Sequence, residues 1–264
     1  PADVARRAAA ELRALFESRH EHIAAFILEP LVQCAAGMAM HDPVYLREVR
    51  ALCDEFEVHL IADEIAVGCR RTGPFFASDQ ASEHEGAPPL WPDFACLSKG
   101  ISGGYLPLSL VLSRDAIYEA FLDEDVARGF LHSHSYTGNP LACRAALATL
   151  DRFEQDAVLA RNRERAGTFS AEFEALRGDE RIEHLRHLGM IWAFDVREAH
   201  AGERFAERFH LAGRERELLI RPIGRTVYLM PPYVLDEELS PWLAARLRET
   251  LDAVTTRKEP RHAA

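Results

Sequence analysis

The chain has 264 residues, 48% of them hydrophobic and 28% charged, and a formal net charge of -11. That composition is ordinary for a globular protein long enough to bury one large core or two unequal ones. The negative balance argues against nucleic acid or an anionic membrane as the main partner, so any phosphate must be held by a local set of donors.

Five cysteines (Cys34, Cys53, Cys69, Cys96 and Cys143) are odd in number and form no C-x-x-C pair. They read as reduced thiols of a cytoplasmic protein. No apolar run approaches the roughly 20 residues of a membrane span. The first residues, Pro1-Ala-Asp-Val-Ala-Arg-Arg, lack a starting Met and the apolar core of a signal peptide. They enter in mid-helix, which suggests a cut.

From about Asp3 to Ser18, Val4, Ala8, Leu12, Leu15 and Phe16 share one helical face. Ile23 to Leu28 is a short apolar strand closed by Glu29-Pro30. Asp42-Pro43 reads as an N-cap with proline at the first helical position. The helix it opens runs to about Glu57 and buries Leu46, Val49, Leu52, Cys53 and Phe56. Val58 to Asp63 is the next strand. Ala77 to Pro92, polar and holding a glycine and three prolines, reads as a surface loop. A strand ending at Lys99 follows, then one near Leu106 to Leu112 and a helix from about Asp115. Asn139-Pro140 starts a helix to about Phe153.

Apolar strands alternating with amphipathic helices predict an α/β fold whose sheet is mostly parallel and buried on both faces. From about Asp151 a long charged helix leads into a different pattern. Met190 to Val196 and Leu218 to Met230 read as strands, and Leu239 to Val254 as a helix. The expected division is a large domain over 1–155 and a smaller α+β domain over 156–264. The tail from Arg257 reads as mobile.

Two strand ends carry the chemistry. Asp63 closes Val58-His-Leu-Ile-Ala-Asp. Lys99 closes Phe94-Ala-Cys-Leu-Ser-Lys and runs into Gly100, Gly103 and Gly104. Ligands of parallel α/β sheets sit at the carboxyl ends of the strands, where both residues fall. A lysine by itself there is usually a surface strand end, and an aspartate a cap or a solvated turn. Together they are what pyridoxal phosphate (PLP) chemistry requires: an amine that forms a Schiff base with the aldehyde, and a carboxylate that keeps the pyridine nitrogen protonated.

Other constellations leave two readings open. Ser133, Ser135 and Thr137 lie just before the Asn139 helix, so the segment is either a phosphate site or a plain capping turn. Arg221, in Leu219-Ile-Arg-Pro-Ile-Gly, reads as an arginine inside an otherwise apolar strand. It requires an anionic partner, either a carboxylate of this chain or that of a substrate. Arg70 and Arg71 belong either to the pocket edge or to a solvated loop. His132 with His134, and His184 with His187, have no companion ligands at zinc-like spacing, so no metal is expected.

The stretches Phe26-Ile-Leu-Glu-Pro, Leu60-Ile-Ala-Asp-Glu-Ile-Ala, Arg71-Thr-Gly, Leu97-Ser-Lys-Gly-Ile-Ser-Gly-Gly-Tyr-Leu-Pro and Thr137-Gly-Asn-Pro-Leu-Ala-Cys together resemble the class III aminotransferases. These are PLP enzymes of fold type I. Within the class, Gly129-Phe-Leu-His-Ser-His-Ser-Tyr, Ile220-Arg-Pro-Ile-Gly and Val227-Tyr-Leu-Met-Pro-Pro-Tyr are similar to the biotin-pathway members. Those carry an amino group from S-adenosylmethionine to 8-amino-7-oxononanoate.

The resemblance implies that Lys99 is the catalytic Schiff-base lysine and Asp63 the partner of the pyridine nitrogen. It implies that Ser135 binds the phosphate of a neighbouring subunit's cofactor in a homodimer, and that Arg221 grips the substrate carboxylate. Cys69-Arg70 stands where the family commonly has Phe-Gly. A Gly-Ser phosphate turn and a ring-stacking aromatic, carried by the N-terminal part of family members, are missing, so the chain resembles a C-terminal portion. The competing readings are another class III enzyme using an ω-amine donor and a keto acid, and a non-catalytic piece that only associates with other chains.

Overall fold

The computed structural model describes residues 2–82 and 90–255. The chain divides into two units, Pro1–Val32 with His41–Val158 and Gln33–Met40 with Leu159–Ala264.

Helix α1 (Ala2–Arg19) opens the first unit and buries Ala5, Ala9, Leu12 and Phe16. Val4 and Leu15, expected on that face, are 59% and 44% exposed. The buried stripe uses small alanines, which allow close helix approach, so the helix is turned relative to the face that the larger side chains suggest. Strand β1 (Ala25–Leu28) follows. Two short strands, β2 (Val32–Gln33) and β3 (Ala39–Met40), then pair with each other. Helix α2 (Pro43–Glu55) begins as the sequence predicts: the Asp42 carboxylate accepts the Val44 N–H at 2.9 Å, with Pro43 in the first turn.

The strands β4 (His59–Asp63), β5 (Phe94–Leu97) and β6 (Leu110–Ser113) complete a sheet in the order β1-β4-β5-β6. The first three run parallel and β6 is antiparallel to β5. Leu28 and Leu60 pack with Ala9, Leu12, Phe16, Leu46, Val49 and Leu52 into one core. Alternation sends Ile27 and His59 to the other face, where both are exposed. The sheet expected to be buried on both faces is therefore covered on one and open on the other among the described residues.

The amino ends of β4 and β5 are tied by Asp93. Its Oδ2 accepts the Leu60 N–H at 2.7 Å and the Arg50 guanidinium at 2.8 Å. The stretch expected to be a surface loop from Ala77 starts instead as a turn of 3-10 helix, Ala77–Ala81, with Ala77, Ser78 and Ala81 buried. The centre of that expected loop, 83–89, lies outside the described residues. Helices α3 (Asp115–Glu119) and α4 (Pro140–Gln155) complete the unit.

In the second unit, α5 (Val158–Glu174) leads into an antiparallel sheet of β7 (Ile182–Leu188), β8 (Ile191–Val196) and β9 (Thr226–Leu229), in that order. Helices α6 (Glu198–Ala201), α7 (Phe205–Arg214) and α8 (Ser240–Val254) accompany it. Its core joins Phe169, Phe173, Trp192, Phe209, Leu247 and Leu251. The excursion Gln33–Met40 is held by Arg186, which donates to the carbonyls of Met38 (2.9 Å) and Gly37 (2.6 Å) while ion-paired to Asp195.

The strand expected over Leu218–Met230 is only Thr226–Leu229. Pro222 has no N–H to offer a ladder, and Gly224 at φ +57° turns the chain, leaving one bridge between Ile223 and Thr226. The tail expected to be mobile lies outside the described residues. No helix among the described residues is long and apolar enough to cross a membrane.

Candidate active site

The parallel register sets Asp63 opposite Cys96, three residues before Lys99, so the carboxylate and the amine leave adjacent strands at the same edge. The Glu64 N–H donates to the Cys96 carbonyl at 3.0 Å and carries the ladder one step past Asp63. Asp63 folds back on its own backbone: Oδ1 accepts the Ile65 N–H at 3.1 Å. No donor among the described residues reaches its second oxygen.

Lys99 opens a 3-10 turn, Lys99–Ser102. Ile101 N–H donates to the Ser98 carbonyl at 3.2 Å and Gly103 N–H to that of Gly100 at 3.1 Å. The turn exits through Gly103 and Gly104 at φ +62° and +81°. Lys99 itself has φ +47°, a left-handed conformation that costs a non-glycine residue about 1 kcal/mol. Two hydroxyls hold it there: Ser98 Oγ donates to the Leu108 carbonyl at 2.7 Å and Ser102 Oγ to that of Leu106 at 2.6 Å. The Lys99 side chain is exposed, and its amine has no hydrogen bond or ion pair among the described residues.

The turn rests on two side chains. A methyl group at Gly100 would lie 2.8 Å from Cys69 Cβ, and one at Gly103 would lie 2.9 Å from Thr149 Oγ1. Gly100→Ala is therefore expected to lower stability by about 1–3 kcal/mol, read by denaturant titration, because the obstacle is a buried side chain near its own backbone. An unchanged midpoint would mean that Cys69 yields freely.

Burial pushes the Cys69 thiol up to about 11, and burial, followed by the charge of Asp63, raises that of Cys96. Both remain protonated near neutrality and supply no thiolate nucleophile. Glu64 is 1% exposed. Its Oε2 accepts the Ala77 N–H at 2.8 Å, and its Oε1 accepts the Ser78 N–H at 2.9 Å and the Ser78 hydroxyl at 2.8 Å.

Ser135 lies in the exposed approach to α4. Asn139 Oδ1 takes the Leu141 and Ala142 N–H groups at 3.0 and 3.4 Å, and Thr137 Oγ1 takes that of His134 at 3.1 Å. The helix start is thus capped from within. Among the hydroxyls weighed as phosphate donors, those of Ser133 and Ser135 are left without a partner among the described residues.

Arg221 belongs to the second unit and departs from expectation. It is exposed, outside any strand, and paired with no carboxylate among the described residues. Burial alternates along the stretch, with Leu218, Ile220 and Pro222 buried and Leu219 and Arg221 exposed, so the arginine falls on the solvent side. Arg70, at φ +68°, lays its guanidinium over the Phe153 ring at 5.9 Å, a packing role within the first unit.

A depression of about 470 Å³ lined by Phe76, Trp91, Asp93, Leu112 and Arg114 lies where β5 begins and β6 ends, and Lys99 is not among its lining residues. No cluster of three or more His, Cys, Asp or Glu residues suited to a metal ion occurs among the described residues.

Sequence reasoning missed Glu64 and Ser98. The signal for Glu64 was the second acid of Asp63-Glu64, but a carboxylate is ordinarily read as solvated. Nothing in the sequence marks the Ser98 hydroxyl as a clasp.

A mostly parallel sheet with an aspartate and a lysine at neighbouring carboxyl ends, followed by a smaller α+β unit, is the fold of the type I PLP-dependent transferases. The family model for aminotransferase class III matches residues 2–251, and the chain belongs to that family. It is 43% identical over 246 residues to the adenosylmethionine-8-amino-7-oxononanoate aminotransferase of Helicobacter pylori, covering 91% of this chain and 55% of that one. A crystal structure of the aminotransferase of the same name from Methanocaldococcus jannaschii superposes with a TM-score of 0.85 at 32% identity, over 93% of this chain and 57% of that one. A thermostable omega transaminase from Pseudomonas jessenii gives 0.84 at 25% identity, over 95% and 56%. The chain spans about half the length of the curated relatives it matches.

Proposed function

We propose that this chain carries the PLP-binding lysine and aspartate of an aminotransferase that moves an amino group from S-adenosylmethionine to 8-amino-7-oxononanoate, giving 7,8-diaminononanoate in biotin biosynthesis. The observation that carries the reading is the register of Asp63 against Cys96, with Lys99 just beyond on the neighbouring strand. The donor set fits the cofactor, since Asp63 keeps one oxygen without a donor and Lys99 keeps an amine without a partner. PLP, when bound, supplies an electron sink for the substrate carbon that loses its proton.

In this reading the second oxygen of Asp63 holds the proton of the pyridine nitrogen. Lys99 Nζ would hold the cofactor through its aldehyde and, as a free amine, would be the base that takes up the proton of the substrate carbon. The Ser135 hydroxyl donates to the phosphate of a partner subunit's cofactor. Supporting this, Phe130, Leu131, Tyr136 and Leu141, on either side of Ser135, are 67%, 80%, 75% and 71% exposed, a run of apolar surface suited to burial against another chain in a homodimer. Cofactor binding falls to residues 1–155. The acceptor carboxylate falls to Arg221 in the smaller part, 156–264, where the exposed guanidinium without an ion-pair partner suits a bidentate anion. The five thiols support a cytoplasmic setting.

Arg221→Ala is expected to raise the KM for the keto acid about tenfold or more with little change in kcat. An unchanged KM would remove the arginine from the substrate site. Another class III activity, using an ω-amine donor, is the second reading, supported by the likeness to the Pseudomonas jessenii omega transaminase. The 43% identity to the Helicobacter pylori relative favours the first. An absorbance titration separates them. PLP is added to the protein, then S-adenosylmethionine or alanine. Bleaching of the bound-cofactor band by S-adenosylmethionine but not by alanine supports the biotin-pathway reading. Bleaching only by other amines supports the alternative.

A further inference from the structure

We propose that Glu64 is the positioning residue for Asp63 and Lys99, a buried residue whose backbone N–H ties the end of β4 to the end of β5 and whose carboxylate anchors that junction to the Ala77–Ala81 turn; this rests on reading that pair as the cofactor site. The Glu64 side chain has no hydrogen bond to Asp63 or Lys99 among the described residues. It is 1% exposed, yet it is a carboxylate, and every contact it makes is to a donor: the N–H groups of Ala77 and Ser78 and the Ser78 hydroxyl. It thereby closes the loop that leaves β4 after Asp63 and returns at the 3-10 turn Ala77–Ala81.

Three further contacts connect this anchor to the lysine. The Glu64 N–H bonds to the Cys96 carbonyl of β5, at the strand end that feeds Lys99. Its own carbonyl accepts the Gly68 N–H at 2.9 Å, and the chain wraps it so tightly that a methyl group at Gly68 would lie 2.7 Å from that carbonyl oxygen and 3.1 Å from Oε2. The next residue, Cys69, lies against Gly100 of the lysine turn, where an added methyl group would come within 2.8 Å of its Cβ. The order of contact runs from the carboxylate, through Gly68 and Cys69, to the backbone that holds Lys99 at a positive φ.

Burial pushes the Glu64 carboxyl up, even though three donors work to lower it.

The test is amide hydrogen exchange on the full chain without cofactor, comparing wild type with Glu64→Gln. The substituted amide would turn an N–H toward the Ala77 N–H or leave one of the donors unmet. Exchange is expected to quicken about tenfold not only at Ala77 and Ser78 but also at Ile101 and Gly103, the two amides that close the lysine turn. Faster exchange at Ala77 and Ser78 with wild-type rates at Ile101 and Gly103 would overturn the proposal, leaving Glu64 a local loop anchor.

If Glu64→Gln fails to fold, Ser78→Ala removes one donor and spares the two backbone bonds. The expected acceleration at Ile101 and Gly103 is then about threefold, and the same contrary pattern overturns the proposal. As a second readout, the Kd for PLP is expected to rise about tenfold in Glu64→Gln. Failure of the wild type to bind PLP would count against the proposed cofactor site, whereas the exchange rates judge Glu64 independently.

Discussion

Replacing Lys99 with alanine is expected to remove cofactor attachment and to lower turnover by at least about 10³-fold while leaving the protein as stable as before. Both halves of that expectation follow from the geometry. The side chain is exposed and its amine has no partner among the described residues, so its loss breaks no native contact. The left-handed backbone is imposed by Ser98, Ser102 and the contacts at Gly100 and Gly103, and it persists in the variant. Proton transfer by a positioned amine is worth about 10²–10⁴-fold by itself, and the covalent hold on the cofactor is lost as well. Turnover assays paired with thermal melts check this. Retention of more than a tenth of wild-type turnover would remove Lys99 from the chemistry.

The second large effect falls at the other ends of the same strands. Asp93→Ala is expected to cost about 3 kcal/mol in a denaturant titration, because it leaves the Arg50 guanidinium with only the exposed Asp54 as a partner and the Leu60 N–H without an acceptor. Only 12% of the Arg50 side chain is exposed, so solvent does little to replace the lost ion pair. Burial works to raise the Asp93 carboxyl. The Leu60 amide, the Arg50 hydrogen bond and the charges of Arg50 and Arg114 outweigh it and hold the group below the usual carboxylate range.

The linkage sign follows from that depression. The folded state binds the Asp93 proton more weakly than the unfolded state does. Its contribution is therefore fully present above the ordinary aspartate range and is lost as pH falls through the folded value. Asp93→Ala should flatten the acid side of the stability profile, and an acid limb unchanged in steepness would contradict the assignment.

Local signals in the sequence were sufficient wherever a side chain acts on its own backbone or on the strand it ends. Asp42-Pro43 could be read as a helix start because the cap is a local hydrogen bond. Asp63 and Lys99 could be read as strand-end residues because the strands before them are short and apolar.

What escaped depends on distant partners. Strand β7 was missed because Glu-His-Leu-Arg-His carries charge where a buried strand would be apolar. Those charges are met only in three dimensions, Glu183 by Arg197 and Arg186 by Asp195. The buried Glu64 was invisible for the same reason, since its donors come from beyond the Arg71-Thr72-Gly73 turn. The apolar residues around Arg221 suggest a strand buried on both sides, whereas burial alternates there and leaves Leu219 and Arg221 exposed. Ser135 and Arg221 gained their assigned roles from family resemblance; spacing left the alternatives open.

The most direct test of the account is reductive trapping. PLP is added to the protein, the mixture is treated with borohydride, and the modified peptides are mapped by mass spectrometry. One modified residue is expected, Lys99, with labelling weakened in Asp63→Ala because the ring nitrogen loses its carboxylate partner. Labelling of Lys258 in place of Lys99, or no labelling at saturating PLP, would contradict the claim that the ends of β4 and β5 form the cofactor site.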